Sequence, residues 1–279
     1  MKQSEFTRLL DCFVVHEGSH DKKPLEDYCH TGLLVDAKGD PNAEIKHVVT
    51  GVSLRKELIL RAIEQKADAI IVHHPNGFWK SEKDKRLIGT HGEYMRLLIQ
   101  NGISLYGYHL HLDRHFLVGN NYTIGRLIQF EDPQRRMTFT TFLDGIGVMF
   151  DGCPAKETID NVFPNGWNVA GDPEMVQRLT DTSVDKKFAV CSGSCGPSGL
   201  EEAKMLGADV LVTGEIRESM PIYAEEHGMA IIYAGHHRSE IFCVQFLADY
   251  IMGAGQFEGM ADDRFKGVTA EFIDIDNPV

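Results

Sequence analysis

The sequence predicts an α/β protein built of two related lobes, on three observations. Short apolar runs of strand length alternate with amphipathic stretches of roughly ten residues, the pattern of strands and covering helices. ADAIIVHH (67–74) lines up with ADVLVTGE (208–215), each a strand candidate after a helix. Each is then followed by a helix, a glycine turn (Asn101-Gly102, His227-Gly228) and a strand entering a histidine-containing segment. The alternation implies mixed, largely parallel sheets with helices against them. The repeat implies that one arrangement is built twice.

Taken in order, residues 3–15 carry Phe6, Leu9, Leu10 and Phe13 at helical spacing. IKHVVTGVSL (45–54) is a strand candidate leading into the helix RKELILRAIEQK (55–66). Ala69 to Val72 form a buried strand that ends at His73, His74 and Pro75, before the charged loop KSEKDKR (80–86). GEYMRLLIQ (92–100) is a helix, and ISLYGYHLHLD (103–113) a strand. Turn-forming pieces (EDPQ, DGCP, FPNGWN, AGDPE) punctuate 131–186, so this stretch is expected to be a connector with short strands. It separates an N-terminal lobe (1–130) from a C-terminal lobe (187–279). The second lobe opens with FAVCSGSCGPSG (188–199), a strand entering a Gly-rich turn, and ends its repeat at MAIIYAGHHRSE.

Composition removes several function classes. The chain has 279 residues, 43% hydrophobic and 25% charged, ordinary for a globular protein with a sizeable core. A net charge of -13 argues against general nucleic-acid binding and against an anionic membrane surface. No stretch approaches the roughly 18 to 20 apolar residues of a membrane span. The N-terminus does not read as a signal peptide. Six cysteines (Cys12, Cys29, Cys153, Cys191, Cys195, Cys243) without C-x-x-C spacing read as reduced thiols, so a cytoplasmic location is expected. Cys191 and Cys195 flank the Gly-rich loop, where metal binding is the minor alternative.

Three segments carry the candidate chemistry. His73 and His74 close a buried strand, where an unsatisfied ring nitrogen would cost free energy. Read as a strand, YGYHLHLDRH (106–115) puts His109, His111 and Asp113 on one face. Imidazole and carboxylate together suit a borderline divalent metal. In GHHRSE (235–240), a helix starting near Gly235 places His236 and Glu240 at i and i+4 on one face. Each segment also has a bland reading: a satisfied histidine pair, a strand facing water, a decorated helix. Together they fall at predicted strand ends, where open α/β sheets bind ligands. Glu215 and Glu218 are candidate site carboxylates or a solvated helix start. Phe78 and Trp79 are candidate pocket walls or core. The loop SGSCGPSG matches neither a dinucleotide nor a P-loop spacing and reads as a tight turn.

IIVHHP, YHLHLD…GNN, TGE and GHHRSE, in this order, resemble the Nif-three-like family, also known as GTP cyclohydrolase I type 2-like or dinuclear metal-binding proteins. The resemblance covers roughly residues 27 to 130 and 187 to 252. It implies two linked α/β lobes around a dinuclear metal cleft, in a homohexamer. It implies metal ligands at His73, His74, Asp113, His236 and Glu240, with His109 beside the metals in proton transfer or ligand orientation. Asn76 stands where an apolar residue usually follows HHP, and YCHTGLLV replaces the family's W-D-N-x-G-L. The expected cofactors are two divalent ions, with Zn, Fe, Mn, Co and Ni all suited to such donors. The expected function is metal-dependent hydrolysis of a nucleotide, phosphoester or cyclic amide. The alternative is a non-enzymatic metal-delivery protein or a ring-forming scaffold.

Overall fold

The computed structural model describes residues 1–19, 24–83, 86–129, 138–254 and 263–277. The chain divides into two compact units. The first comprises Met1–Gly119 and Cys243–Ile275, and the second is built on Asn120–Phe242. Cys243–Ile275 therefore group with the first unit, although they lie within the range expected for the C-terminal lobe.

In the first unit α1 (Gln3–Asp11) precedes β1 (Gly32–Val35), β2 (His47–Ser53), α2 (Lys56–Glu64), β3 (Ala69–His74), α3 (Gly89–Gln100) and β4 (Ser104–Gly107). β2, β3 and β4 are parallel neighbours, β1 lies antiparallel on β4, and Thr269–Phe272 adds a parallel strand on β2. β3 sits inside the sheet with neighbours on both sides, which explains its unbroken apolar run. Val49, Ile70, Val72 and Leu105 pack with Leu58, Ile59 and Leu98 of the helices in one aliphatic cluster.

The second unit contains α5 (Asn120–Gln129), following the one-turn α4 (Leu110–Asp113) of the first. Then come β5 (Thr140–Phe142), β6 (Gly147–Gly152), α6 (Lys156–Val162), β7 (Asn168–Gly171) and α7 (Pro173–Arg178). β8 (Lys186–Cys191), α8 (Gly196–Met205), β9 (Val210–Thr213), α9 (Ser219–Glu226), β10 (Ala230–Tyr233) and the start of α10 (His236–Ile251) complete the order, with α10 grouping with the first unit from Cys243 on. The six-stranded sheet runs β5-β6-β8-β9-β10-β7, with β8, β9 and β10 parallel and the others antiparallel. Thus the stretch expected as a connector contributes β5, β6 and β7 to a sheet.

The repeat extends to hydrogen-bond detail. Asp68 accepts the backbone N–H of Lys46 (2.8 Å) and His47 (3.1 Å), tying the start of β3 to that of β2. Asp209 accepts the N–H of Lys187 (2.8 Å), tying β9 to β8 in the same way. Ala67 and Ala208 both donate to the residue five places back, Ala62 and Ala203, at 2.9 Å. The helices before them end through left-handed residues, Lys66 (φ 54) and Gly207 (φ 88). The structure is therefore mixed α/β with two related sheets, and the parallel strands of each carry their chemistry at their carboxyl ends.

Candidate metal centre

In the first unit the site begins where β3 stops. His73 is fully buried and His74 half-buried, and their ring centroids lie 4.6 Å apart. His73 Nδ1 stands 3.2 Å from the Tyr108 carbonyl oxygen. That oxygen can only accept, so Nδ1 carries a proton and donates it. His74 Nδ1 is 3.1 Å from the hydroxyl of Ser53, its register partner on β2.

The segment after β4 is corrected by the structure. The strand ends at Gly107, and Leu110–Asp113 form a single helical turn with His109 in the N-cap position. Alternation of Leu with His and Asp mimicked a strand, but the carbonyl of His109 accepts the N–H of Leu112 at 2.8 Å and of Asp113 at 3.3 Å. His109 and Asp113 are therefore related as i and i+4 across a turn. His73 Nε2 and Asp113 Oδ1 face each other at 3.6 Å. This is long for a hydrogen bond. Two ligands each about 2 Å from one ion stand roughly 3 to 3.5 Å apart.

Asp27, which the sequence did not single out, sits beneath this turn. Its carboxylate accepts Nδ1–H of His109 at 2.8 Å and the N–H of Leu110 at 2.9 Å, and faces Nδ1 of His111 at 3.5 Å. Burial pushes its pKa up, but the bonds from His109 and His111 outweigh burial and hold it well below the usual carboxylate range. The neighbouring Cys29 thiol is pushed up to about 12, by burial first and then by the Asp27 charge, so it stays protonated. Trp79 packs edge-on to His109, ring centroids 5.1 Å apart, and its indole N–H donates to Asn76 Oδ1 at 3.3 Å. Trp79 thus walls the site, while Phe78 packs against the aliphatic cluster.

In the second unit Gly235 (φ 100) turns the chain from β10 into α10, as expected, and His236 and Glu240 occupy the helix's first turn. His236 Nδ1 is 2.7 Å from Glu215 Oε1, and its Nε2 is 3.2 Å from Glu240 Oε2. Burial lowers the pKa of His236, yet Glu240 and then Glu215 more than offset it and raise it to about 9. Glu215 is therefore a site carboxylate, whereas Glu218 is exposed. The Gly-rich loop has a steric role here. Gly193 has φ +62, and a Cβ there would collide with Glu240 Oε1 and lie 3.1 Å from His236 Nε2. Its N–H donates to Ser239 Oγ (2.9 Å) and its carbonyl accepts from Glu215 N–H (2.8 Å).

Within the first unit, one ring nitrogen each of His73, His74 and His109 lies within 4.8 Å of the others. His115 behaves differently: its Nε2 donates to the Phe13 carbonyl at 3.1 Å, and its Nδ1 accepts from Leu117 and Val118 N–H at 3.2 and 3.3 Å. Both of its nitrogens serve the backbone. Among the described residues, no metal-capable group includes Cys191 or Cys195, which are buried free thiols. No helix among the described residues is long and apolar enough to cross a membrane.

The chain is similar to known proteins over most of its length. The model of Duf34/NIF3 (NGG1p interacting factor 3) matches residues 8–262. The "GTP cyclohydrolase 1 type 2 homolog" of Haemophilus influenzae is 32% identical over 269 residues, 96% of this chain and 98% of that one. Its Vibrio cholerae namesake is 34% identical over 91% of this chain and 93% of its own length. Among solved structures, "protein ybgI, unknown function" superposes with a TM-score of 0.76 at 26% identity, covering 100% of both chains. Reduced HcgD from Methanocaldococcus jannaschii shares the fold, with a TM-score of 0.75 at 19% identity over 99% of this chain and 98% of its own.

Proposed function

The chain belongs to the Duf34/NIF3 family, and from that premise we propose that it is a metal-dependent hydrolase with a centre of two divalent ions. One observation carries the reading. Each of His73, His74 and His236 has Nδ1 engaged by an oxygen of its own unit, which directs Nε2 elsewhere. Oriented imidazoles beside buried carboxylates are how proteins prepare metal ligands. The proposed donors, imidazole nitrogen and carboxylate oxygen, suit Zn, Fe, Mn, Co or Ni.

In this reading His73, His74, Asp113, His236 and Glu240 would hold the ions, Asp113 as a carboxylate ligand. Divalent ions so held supply Lewis acidity, polarising an electrophile and activating water. Asp27 and Glu215 keep their histidines in one orientation, and Trp79 excludes solvent from one side. By motif alone His109 is an auxiliary group that moves a proton at Nε2 or orients a bound molecule. The substrate is a small anion such as a nucleotide or phosphoester, or else a cyclic amide. The ions' charge dominates nearby, whereas the net charge of -13 is screened beyond a Debye length of about 8 Å. GTP is the first compound to try, given the names of the relatives.

The test is a panel of nucleotides, phosphoesters and cyclic amides incubated with metal-loaded protein, with chelator added in parallel. Asp113→Ala serves as the blank. Turnover that depends on metal and vanishes in the blank is expected. Equal turnover in both proteins means contamination, and no turnover on any compound, with fast metal transfer to a recipient, replaces the hydrolase with a carrier.

A further inference from the structure

The three imidazoles of the first unit are held alike. Nδ1 of His73 faces the Tyr108 carbonyl oxygen (3.2 Å), Nδ1 of His74 the Ser53 hydroxyl (3.1 Å), and Nδ1 of His109 the Asp27 carboxylate (2.8 Å). Their ring centroids are 4.6, 5.0 and 5.5 Å apart, and one nitrogen of each lies within 4.8 Å of the others. With every Nδ1 engaged, the nitrogens left to converge are the three Nε2 atoms. Carbonyl and carboxylate oxygens only accept, so Nδ1 of His73 and of His109 carries a proton, and Nε2 is the nitrogen each ring can offer a metal. Three imidazoles so grouped, with Nδ1 of each meeting an oxygen, can offer Nε2 to one divalent ion.

The internal repeat supports the same conclusion independently. His109 and Asp113 stand in the first turn after β4, the third parallel strand of the first unit. His236 and Glu240 stand in the first turn after β10, the third parallel strand of the second. In each unit the histidine's Nδ1 meets a carboxylate from elsewhere, Asp27 at 2.8 Å or Glu215 at 2.7 Å. Asp27 also accepts a backbone N–H of the turn, that of Leu110 at 2.9 Å.

We infer that Asp27 locks His109 so that its Nε2 joins His73 and His74 as a third imidazole donor to a divalent ion. The inference rests on the metal-binding reading and extends it: His109 becomes a ligand rather than an auxiliary group, and Asp27 is its positioning residue. Asp27→Asn separates this from a merely structural role. The amide keeps an oxygen for Leu110 N–H but presents NH2 to His109, which favours the tautomer with the proton on Nε2 and removes the lone pair.

The experiment uses the full chain. Zn²⁺ affinity is measured by chelator competition in wild type, Asp27→Asn and His109→Gln, and ¹⁵N spectra of histidine-labelled, metal-free protein report the His109 tautomer and confirm folding. The expected result is a roughly 10- to 100-fold weaker affinity for one ion in both variants, the size seen when an outer partner of a ligand is lost. A switch of the His109 proton from Nδ1 to Nε2 in Asp27→Asn accompanies it. Wild-type affinity in both variants overturns the inference while leaving the metal reading intact, whereas a wild type that takes up no Zn²⁺ defeats the metal reading itself. If Asp27→Asn does not fold, His109→Gln decides: undiminished affinity there overturns the inference.

Discussion

Gly193 and His115 show how differently the same kinds of residue serve this molecule. Gly193 lets the backbone lie against Glu240 and His236 in a left-handed conformation. Gly193→Ala forces a Cβ into that pair, at a backbone cost of about 1 kcal/mol. The expected result is on the order of tenfold weaker metal binding, read by chelator competition; unchanged binding would remove the loop from the site. His115 is buried, packs on Phe13 (centroids 4.4 Å apart) and gives both nitrogens to backbone groups. His115→Ala is expected to lower unfolding free energy by about 2–3 kcal/mol in urea titrations and to leave metal content untouched. At this scale the sequence was partly legible. His73, His74, His236 and Glu240 stood out together because all fall at predicted strand ends, although each pair alone also has a bland reading. Asp27 was not, since it lies in an irregular segment with no periodicity, and its role arises only from a long-range approach to the turn after β4.

Among the elements, the helix–strand alternation was legible wherever apolar periodicity was long, as in β2, α2, β3 and α3. The failure at His109–Asp113 has a physical cause. Four residues are too few for a helical period to declare itself, and the turn is fixed by the Asp27 carboxylate accepting Leu110 N–H. Two tests belong here. Lys66 occupies the left-handed position after α2 (φ 54) that Gly207 fills after α8. Lys66→Gly is expected to raise unfolding free energy by about 0.5–1 kcal/mol, checked by denaturant titration; a loss would mean the Lys66 side chain contributes contacts that outweigh its backbone strain. Asp68 accepts from Lys38 Nζ (2.9 Å) and from two backbone amides. Burial opposes its ionisation, but these bonds hold its pKa below the ordinary value. Because the folded pKa is depressed, its stabilisation is complete above the unfolded value of about 3.9 and fades as pH falls through the lowered folded pKa. The stability gap between wild type and Asp68→Asn should therefore stay constant above about pH 5 and narrow as pH falls below it. A gap independent of pH would show that Asp68 acts only by shape.

For the whole molecule, the repeated AD-strand motif was enough to predict two related α/β sheets. It did not reveal the antiparallel strands at their margins. Short strands were expected within 131–186, but the Pro, Gly and Asp turn signals around Thr140–Phe142 and Asn168–Gly171 hid that they join a sheet. Nor did sequence order foretell that Cys243–Ile275 group with the first unit, because the parallel pairing of Thr269–Phe272 with β2 spans most of the chain. In the proposed function His73, His74, Asp113, His236 and Glu240 hold the divalent ions. Metal content per chain, determined by mass spectrometry after remetallation and dialysis, tests this most directly in wild type, His74→Ala and Glu240→Ala. About two divalent ions per wild-type chain, with a clear loss in each variant although they lie in different units, is the predicted result. An empty wild type, or a count unchanged by either substitution, would contradict it.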